Sequence, residues 1–109
     1  MKEEMVSTPY YRGRAKEYKV MEILRKEGWF CSRSAMSHGP VDIFAGKDGK
    51  TVLIQVKSGK SRIDKKGREE LIRWAKAFGA EAEVWYIRKK KDILKEKIKL
   101  DEFQPKNIS

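Results

Sequence analysis

Residues 41–57 read Val41-Asp42-Ile43-Phe44-Ala45-Gly46-Lys47-Asp48-Gly49-Lys50-Thr51-Val52-Leu53-Ile54-Gln55-Val56-Lys57. Two apolar runs flank a short polar connector, and its Asp48-Gly49 pair suits a tight turn that needs positive φ. The pattern predicts strands over Val41–Ala45 and Thr51–Lys57, paired antiparallel as a hairpin. Strict alternation in the second strand puts Val52, Ile54 and Val56 on one face and Leu53, Gln55 and Lys57 on the other. Gln55 and Lys57 therefore point the same way at the polar end of the strand, and hairpin pairing can bring Asp42 beside them. The turn explains Asp48. Nothing local explains Asp42, apart from the plain alternative that it faces solvent on an edge strand.

Working outward, Tyr11–Lys26 predicts a helix, since Val20, Met21, Ile23 and Leu24 fall at helical spacing and Gly28 supplies a left-handed stop. Trp29–Ser34 reads as a strand and Ala35–Pro40 as a loop. Downstream, Ser58–Gly67 reads as a basic, mobile loop. Arg68–Phe78 reads as an amphipathic helix with Leu71, Trp74, Ala75 and Phe78 on its apolar face, ended by Gly79. Glu83–Arg88 reads as a strand returning parallel to its predecessor, because a helix lies between them. Asp92–Leu100 suits a charged helix or a strand. The order is an α/β layer around a mixed sheet, one domain over residues 1–109 with flexible ends at 1–9 and 101–109.

Glu17 is out of place in the first helix. At 100° per residue, Val20, Met21 and Leu24 lie roughly within one quadrant either side of it, so it falls in the middle of the apolar stripe. A carboxylate buried there needs a cation, either a basic side chain or a metal ion. Alternatively, the helix end projects past the sheet and Glu17 is simply wet. An acid, an amide oxygen and an ammonium converging from Asp42, Gln55 and Lys57 can hold a hard cation and set positive charge against a phosphate.

The chain has 26 Lys and Arg against 16 Asp and Glu, a formal charge of +10. Such an excess on a small body draws polyanions, of which nucleic acid is the commonest. A solubilising surface on a heat-adapted protein is the bland alternative, and the scarcity of Asn and Gln fits it. Cys31 is the only cysteine, which excludes an intrachain disulfide and a cysteine-based zinc site and suits a reducing, cytoplasmic setting. No run reaches the roughly 18 apolar residues of a membrane helix, and no leader-like apolar segment opens the chain. A large apolar pocket for a small-molecule substrate is not expected from so polar a composition.

Four blocks in order, Tyr11-Arg12-Gly13-Arg14-Ala15-Lys16-Glu17, Arg33-Ser34-Ala35-Met36-Ser37, Val41-Asp42-Ile43-Phe44-Ala45-Gly46 and Ile54-Gln55-Val56-Lys57, resemble the archaeal Holliday junction resolvases of the PD-(D/E)xK nuclease superfamily over about residues 11–88. The resemblance implies a restriction-endonuclease-like domain that cuts DNA with Mg²⁺ or Mn²⁺. Glu17 and Asp42 would ligate the metal, Gln55 would take the second-acid position, and Lys57 would orient the attacking water or steady the phosphorane. It further implies a homodimer with two sites, each nicking one strand of a four-way junction. Arg12, Arg14, Arg33, Ser34 and Ser37, with Lys60, Arg62, Lys65, Lys66 and Arg68 of the basic loop, are the expected DNA contacts. Gln55 departs from the pattern, where the resolvases have Glu; it removes one charge and weakens metal binding. Restriction-type relatives resembling the Mrr group carry Gln-x-Lys, so two alternatives stand beside the resolvase: a less selective restriction or repair endonuclease, and a catalytically silent DNA-binding module.

Several residues are set aside. His38 reads as a turn residue, Cys31 as a small core residue, and Trp74 and Phe78 as core. Of Trp85 and Tyr86, alternation sends one inward and leaves the other for an interface.

Overall fold

The computed structural model describes residues 9–34, 39–89 and 92–102. Helix α1 spans Pro9–Lys26, β1 Phe30–Arg33, β2 Ile43–Lys47, β3 Lys50–Ser58, α2 Lys65–Phe78, β4 Glu81–Lys89 and β5 Asp92–Ile98, followed by a 3₁₀ turn at Leu100–Glu102. The five strands form one sheet in the order β1-β2-β3-β4-β5. All neighbours are antiparallel except β3 and β4, which run parallel. The helix between β3 and β4 is the crossover that a parallel pair requires.

The β2–β3 hairpin forms as the sequence predicts. Lys47 pairs with Lys50, and Asp48 and Gly49 between them have φ values of 51° and 79°. Two successive positive φ angles match the right-handed twist of the flanking strands. Gly28 ends α1 at φ 94°, where the Lys47 side chain crosses so closely that a Cβ would meet its end at 3.4 Å.

Each face of the sheet carries one helix. Val20, Met21 and Leu24 of α1 pack on Ile43, Ala45, Val52, Ile54, Trp85 and Ile87. On the other face, Leu71, Ile72 and Ala75 of α2 pack on Val41, Leu53, Ala82, Val84, Tyr86 and Ile98. Burial on both sides makes β3 the rigid centre, with Val52, Leu53 and Ile54 all inaccessible or nearly so.

The structure corrects four readings and decides a fifth, the tail that suits either a helix or a strand. β2 begins at Ile43, so Asp42 lies in the bend ahead of it rather than within a strand. The basic loop is shorter than expected, because Asp64 caps α2 by accepting from Gly67 N at 2.7 Å and the helix starts at Lys65. The charged tail is a strand: β5 completes the β4 edge with Ile98 inward, which a helix there could not do. Trp85 and Tyr86 are both buried, on opposite faces, because each polar end finds a partner. The Trp85 indole N–H donates to Glu83 Oε1 at 2.9 Å, and the Tyr86 hydroxyl bonds Glu96 Oε1 at 3.3 Å. Phe78 is 54% exposed, since it is the last residue of α2 and its ring meets Phe44 and Trp74 but is open to solvent otherwise. The expected flexible end at 1–8, the loop at 35–38 with His38, and the end at 103–109 lie outside the described residues. Among those described, no helix is long and apolar enough to cross a membrane.

Asp64 provides the first test. Replacing it with Ala leaves the Gly67 N–H without its acceptor and should cost about 1 kcal/mol, read as a lower midpoint in urea or thermal unfolding.

Candidate metal and phosphate site

The site lies where β2 and β3 part. The last antiparallel pair is Ile43 with Ile54, so Asp42 stands opposite Gln55 just beyond the ladder. Its backbone is still anchored, with Asp42 N donating to Ile54 O at 2.8 Å and Asp42 O accepting from Ser34 N at 2.8 Å. The Asp42 side chain then bends across the gap, and Oδ2 accepts from Val56 N at 2.7 Å. That bond satisfies a strand N–H which β2 no longer reaches.

Burial pushes the Asp42 carboxyl above its ordinary range, while the Val56 N–H and the Lys57 charge pull it down without cancelling the rise. Glu17 is raised for the same first cause, burial, and next by the Asp42 charge; Arg33 and Arg14 oppose this. The helical acid thus lies within electrostatic reach of Asp42, and Asp42 within reach of Lys57. The side chain of Glu17 is only 21% exposed and sits 3.4 Å from Arg33 Nη1. The sequence reading that placed Glu17 in the apolar stripe holds, and the fully solvated alternative does not.

Gln55 approaches from the other side. It shares the α2 face with Leu53, and its Oε1 is buried with no hydrogen-bond partner. A buried carbonyl oxygen left unpaired is costly, so it invites a donor or a cation. Gln55 also lines an open cleft of about 530 Å³ with Gly39, Pro40, Asp64, Lys66, Gly67, Glu70 and Trp74. Among the described residues no group of three or more His, Cys, Asp or Glu is arranged to hold a metal.

The expected DNA contacts divide. Lys60, Arg62, Lys65 and Lys66 are exposed, with the Arg62 guanidinium 5.7 Å from the Tyr86 ring centroid. Arg68 is drawn across the sheet to Glu96, at 3.1 and 3.4 Å, and is committed to holding α2 on β5. Arg33 ends β1 beside Glu17, and Arg14 acts on the same carboxylate. Ser34 joins the site through its backbone. The side chain of Arg12, and Ser37 altogether, lie outside the described residues. The sequence reading missed Asp64, whose position just ahead of an apolar helical pattern is an N-cap signal. It also missed Tyr18, whose ring lies beside Arg33.

A helix on each face of a mixed five-stranded sheet is the architecture of the restriction-endonuclease-like fold. The family model described as archaeal Holliday junction resolvase (Hjc) matches residues 8–107, and the chain belongs to that family. A relative from Methanocaldococcus jannaschii named crossover junction endodeoxyribonuclease Hjc is 36% identical over 73 residues, 64% of this chain and 54% of the relative. The chain thus spans about half the length of that curated relative. The solved structure of Archaeoglobus fulgidus Hjc, described as a Holliday junction resolvase from an archaeal hyperthermophile, superposes with a TM-score of 0.70 at 28% identity, covering 80% of this chain and 73% of that one. The structure of SSO0001 shares the fold, with a TM-score of 0.57 at 15% identity over 84% of this chain and 52% of that one.

The raised carboxyls fix the sign of a pH effect. A folded-state value above the unfolded one favours the protonated fold, so this contribution to stability is full below the ordinary carboxylate range and lost as pH rises through the raised values. Without divalent metal, the unfolding midpoint should fall over that window. Asp42→Asn keeps an acceptor for Val56 N and removes the charge. It should flatten the fall and raise the unfolding midpoint at pH 7. Calorimetry of the two proteins in EDTA checks this.

Proposed function

We propose that the chain is a metal-dependent endonuclease that cuts four-way DNA junctions as a homodimer, working in the cytoplasm. The observation that carries the reading is two carboxyls within electrostatic reach of each other, both held above their ordinary range, with a buried, unpartnered amide oxygen on the strand residue that stands opposite Asp42 in register. Glu17, Asp42 and Gln55 would hold Mg²⁺ or Mn²⁺, since all three offer hard oxygens. When bound, the cation supplies Lewis acidity to a phosphodiester and lowers the pKa of an attacking water.

The chain's own residues do the rest. Asp42, pinned by Val56 N–H, cannot swing away, so its free oxygen is already oriented. Lys57 sets a positive charge on the face where negative charge grows on the phosphate. Arg33 and Arg14 stand on the other side of Glu17 to steady the nonbridging oxygens. Lys66 lines the cleft, and with the exposed Lys60, Arg62 and Lys65 of the same stretch of chain it would grip the backbone without reading sequence.

An aromatic surface supports the dimer. Phe78 stacks on Trp74 with centroids 5.9 Å apart and meets Phe44 at 5.8 Å. Phe30, 83% exposed, is on the same side of the sheet, as its neighbour Cys31 packs toward α1. A single-sided group of exposed rings next to a charged cleft is the composition of an interface core rather than of a solvated surface. The M. jannaschii relative's name and the shared family make a junction the substrate to test first.

Purified protein with Mg²⁺ or Mn²⁺ should nick a four-way junction in pairs and leave linear duplex and single strands intact. Cleavage of linear duplex would favour the less selective endonuclease, and tight binding without cuts the silent module. Asp42→Ala and Lys57→Ala should each lower the cutting rate by about 10²–10³-fold or more with junction affinity kept. Gln55→Glu should lower the metal concentration needed for half-maximal rate. Phe78→Asp should give a monomer in sedimentation and uncouple the paired cuts, with the far-ultraviolet circular dichroism unchanged.

A further inference from the structure

Tyr18 follows Glu17 in α1 and is 50% exposed, outside both halves of the core. Its ring centroid lies 5.6 Å from Arg33 Cζ, and the same guanidinium reaches Glu17 Oε1 through Nη1 at 3.4 Å. Consecutive residues of one helix thus hold one guanidinium at two points, an anion on one side and an aromatic face on the other. Successive helical positions are 100° apart, so the two holds flank Arg33 instead of duplicating each other.

The holds differ in their response to a divalent cation. A cation on Glu17 neutralises the carboxylate and removes the reason for the ion pair, whereas the ring's quadrupole is unaffected. Without a second hold, Arg33 would then regain its rotamer freedom at the moment a phosphate needs it ordered. Resting on the nuclease reading, we propose that Tyr18 is a positioning residue: it keeps the Arg33 guanidinium at the rim of the site once the metal has taken Glu17, so that Arg33 meets the phosphate already aligned. Tyr18 also offers its hydroxyl to the same guanidinium as a hydrogen-bond partner, so the hold combines the ring and the phenol oxygen.

The test uses the full chain carrying Tyr18→Leu or Tyr18→Phe, each alone and combined with Arg33→Ala, on a four-way junction with Mg²⁺. Tyr18→Leu should lower kcat about tenfold while KM stays within about twofold. Tyr18→Phe keeps the ring but loses the hydroxyl, and should recover part of that loss. In the Arg33→Ala background, Tyr18→Leu should cost nothing further, because the residue it acts through is gone. The Arg33 Nε–H resonance, followed by ¹⁵N NMR in Mg²⁺ without DNA, should be sharp in the parent chain and in Tyr18→Phe and averaged in Tyr18→Leu. The proposal is overturned by a Tyr18→Leu protein that cuts at the parent rate, by an equal loss in the Arg33→Ala background, or by an unchanged arginine signal. If the parent chain cuts no DNA, the nuclease reading falls by itself, and the NMR signal still decides whether Tyr18 orders Arg33.

Discussion

The Val56 N–H to Asp42 Oδ2 hydrogen bond, 2.7 Å long, sits where the antiparallel ladder between β2 and β3 gives out. β3 continues to Ser58 because β4 still pairs with it on its other side, but on the β2 side its next amide would face a gap. An unpaired strand N–H in a half-buried place is costly. Asp42 supplies the missing acceptor, and so one carboxylate oxygen is spent on extending the sheet. Its position is then set by the backbone of the most rigid strand in the molecule, not by its own rotamer preference. Everything else at the site is placed relative to this fixed point: Gln55 opposite it in register, Lys57 two residues further along the same face, and Glu17 across from it on the helix.

That arrangement has an electrostatic cost which the fold tolerates through its core. Two partly buried carboxyls lie within electrostatic reach of each other, and the basic groups around them do not restore either to its ordinary range. β3 is held from both faces, by α1 through Val20, Met21 and Leu24 and by α2 through Leu71, Ile72 and Ala75, so the strain cannot relax by letting the strands drift. Sites whose geometry works against local stability are commonly functional ones. The same reasoning separates Arg68 from its neighbours in the chain. Its pairing with Glu96 ties α2 to β5 and spends the guanidinium on the scaffold.

Elements with a strong local signal were legible from the sequence. The Asp48-Gly49 turn, the alternation of Val52 to Lys57, and the periodicity of α1 and α2 each follow from period and turn chemistry alone. Alternation also gave the shared face of Gln55 and Lys57, and helical spacing gave the partial burial of Glu17. What escaped depends on contacts distant in sequence. Asp42 looks like part of a strand because the residues after it are apolar, yet the strand starts later, once β1 pairs with it. β5 has almost no apolar period, and its state is decided by the open edge of β4. Phe78 has core spacing, but whether its ring is covered depends on contacts at the helix end, which spacing does not encode. The burial of Trp85 and Tyr86 together rests on Glu83 and Glu96 reaching their polar tips.

Gln55 changes the charge balance of the site in a way that bears on how metal and DNA bind. With an amide there, Glu17 and Asp42 are the two anions, and Lys57, Arg33 and Arg14 are the cations that act on them, so the metal-free site carries no excess of negative charge. A Glu at the same position would add one negative charge and bring the site closer to binding a cation by itself. In the nuclease reading, a divalent ion entering this site makes it strongly positive, a state that a phosphate then relieves. Metal and phosphodiester therefore favour each other's binding, and by linkage the coupling is the same from either side. In that reading the amide would weaken the site's grip on free metal and move part of the metal's binding energy onto the complex with DNA, so that the complete site would assemble chiefly where a phosphate is already present.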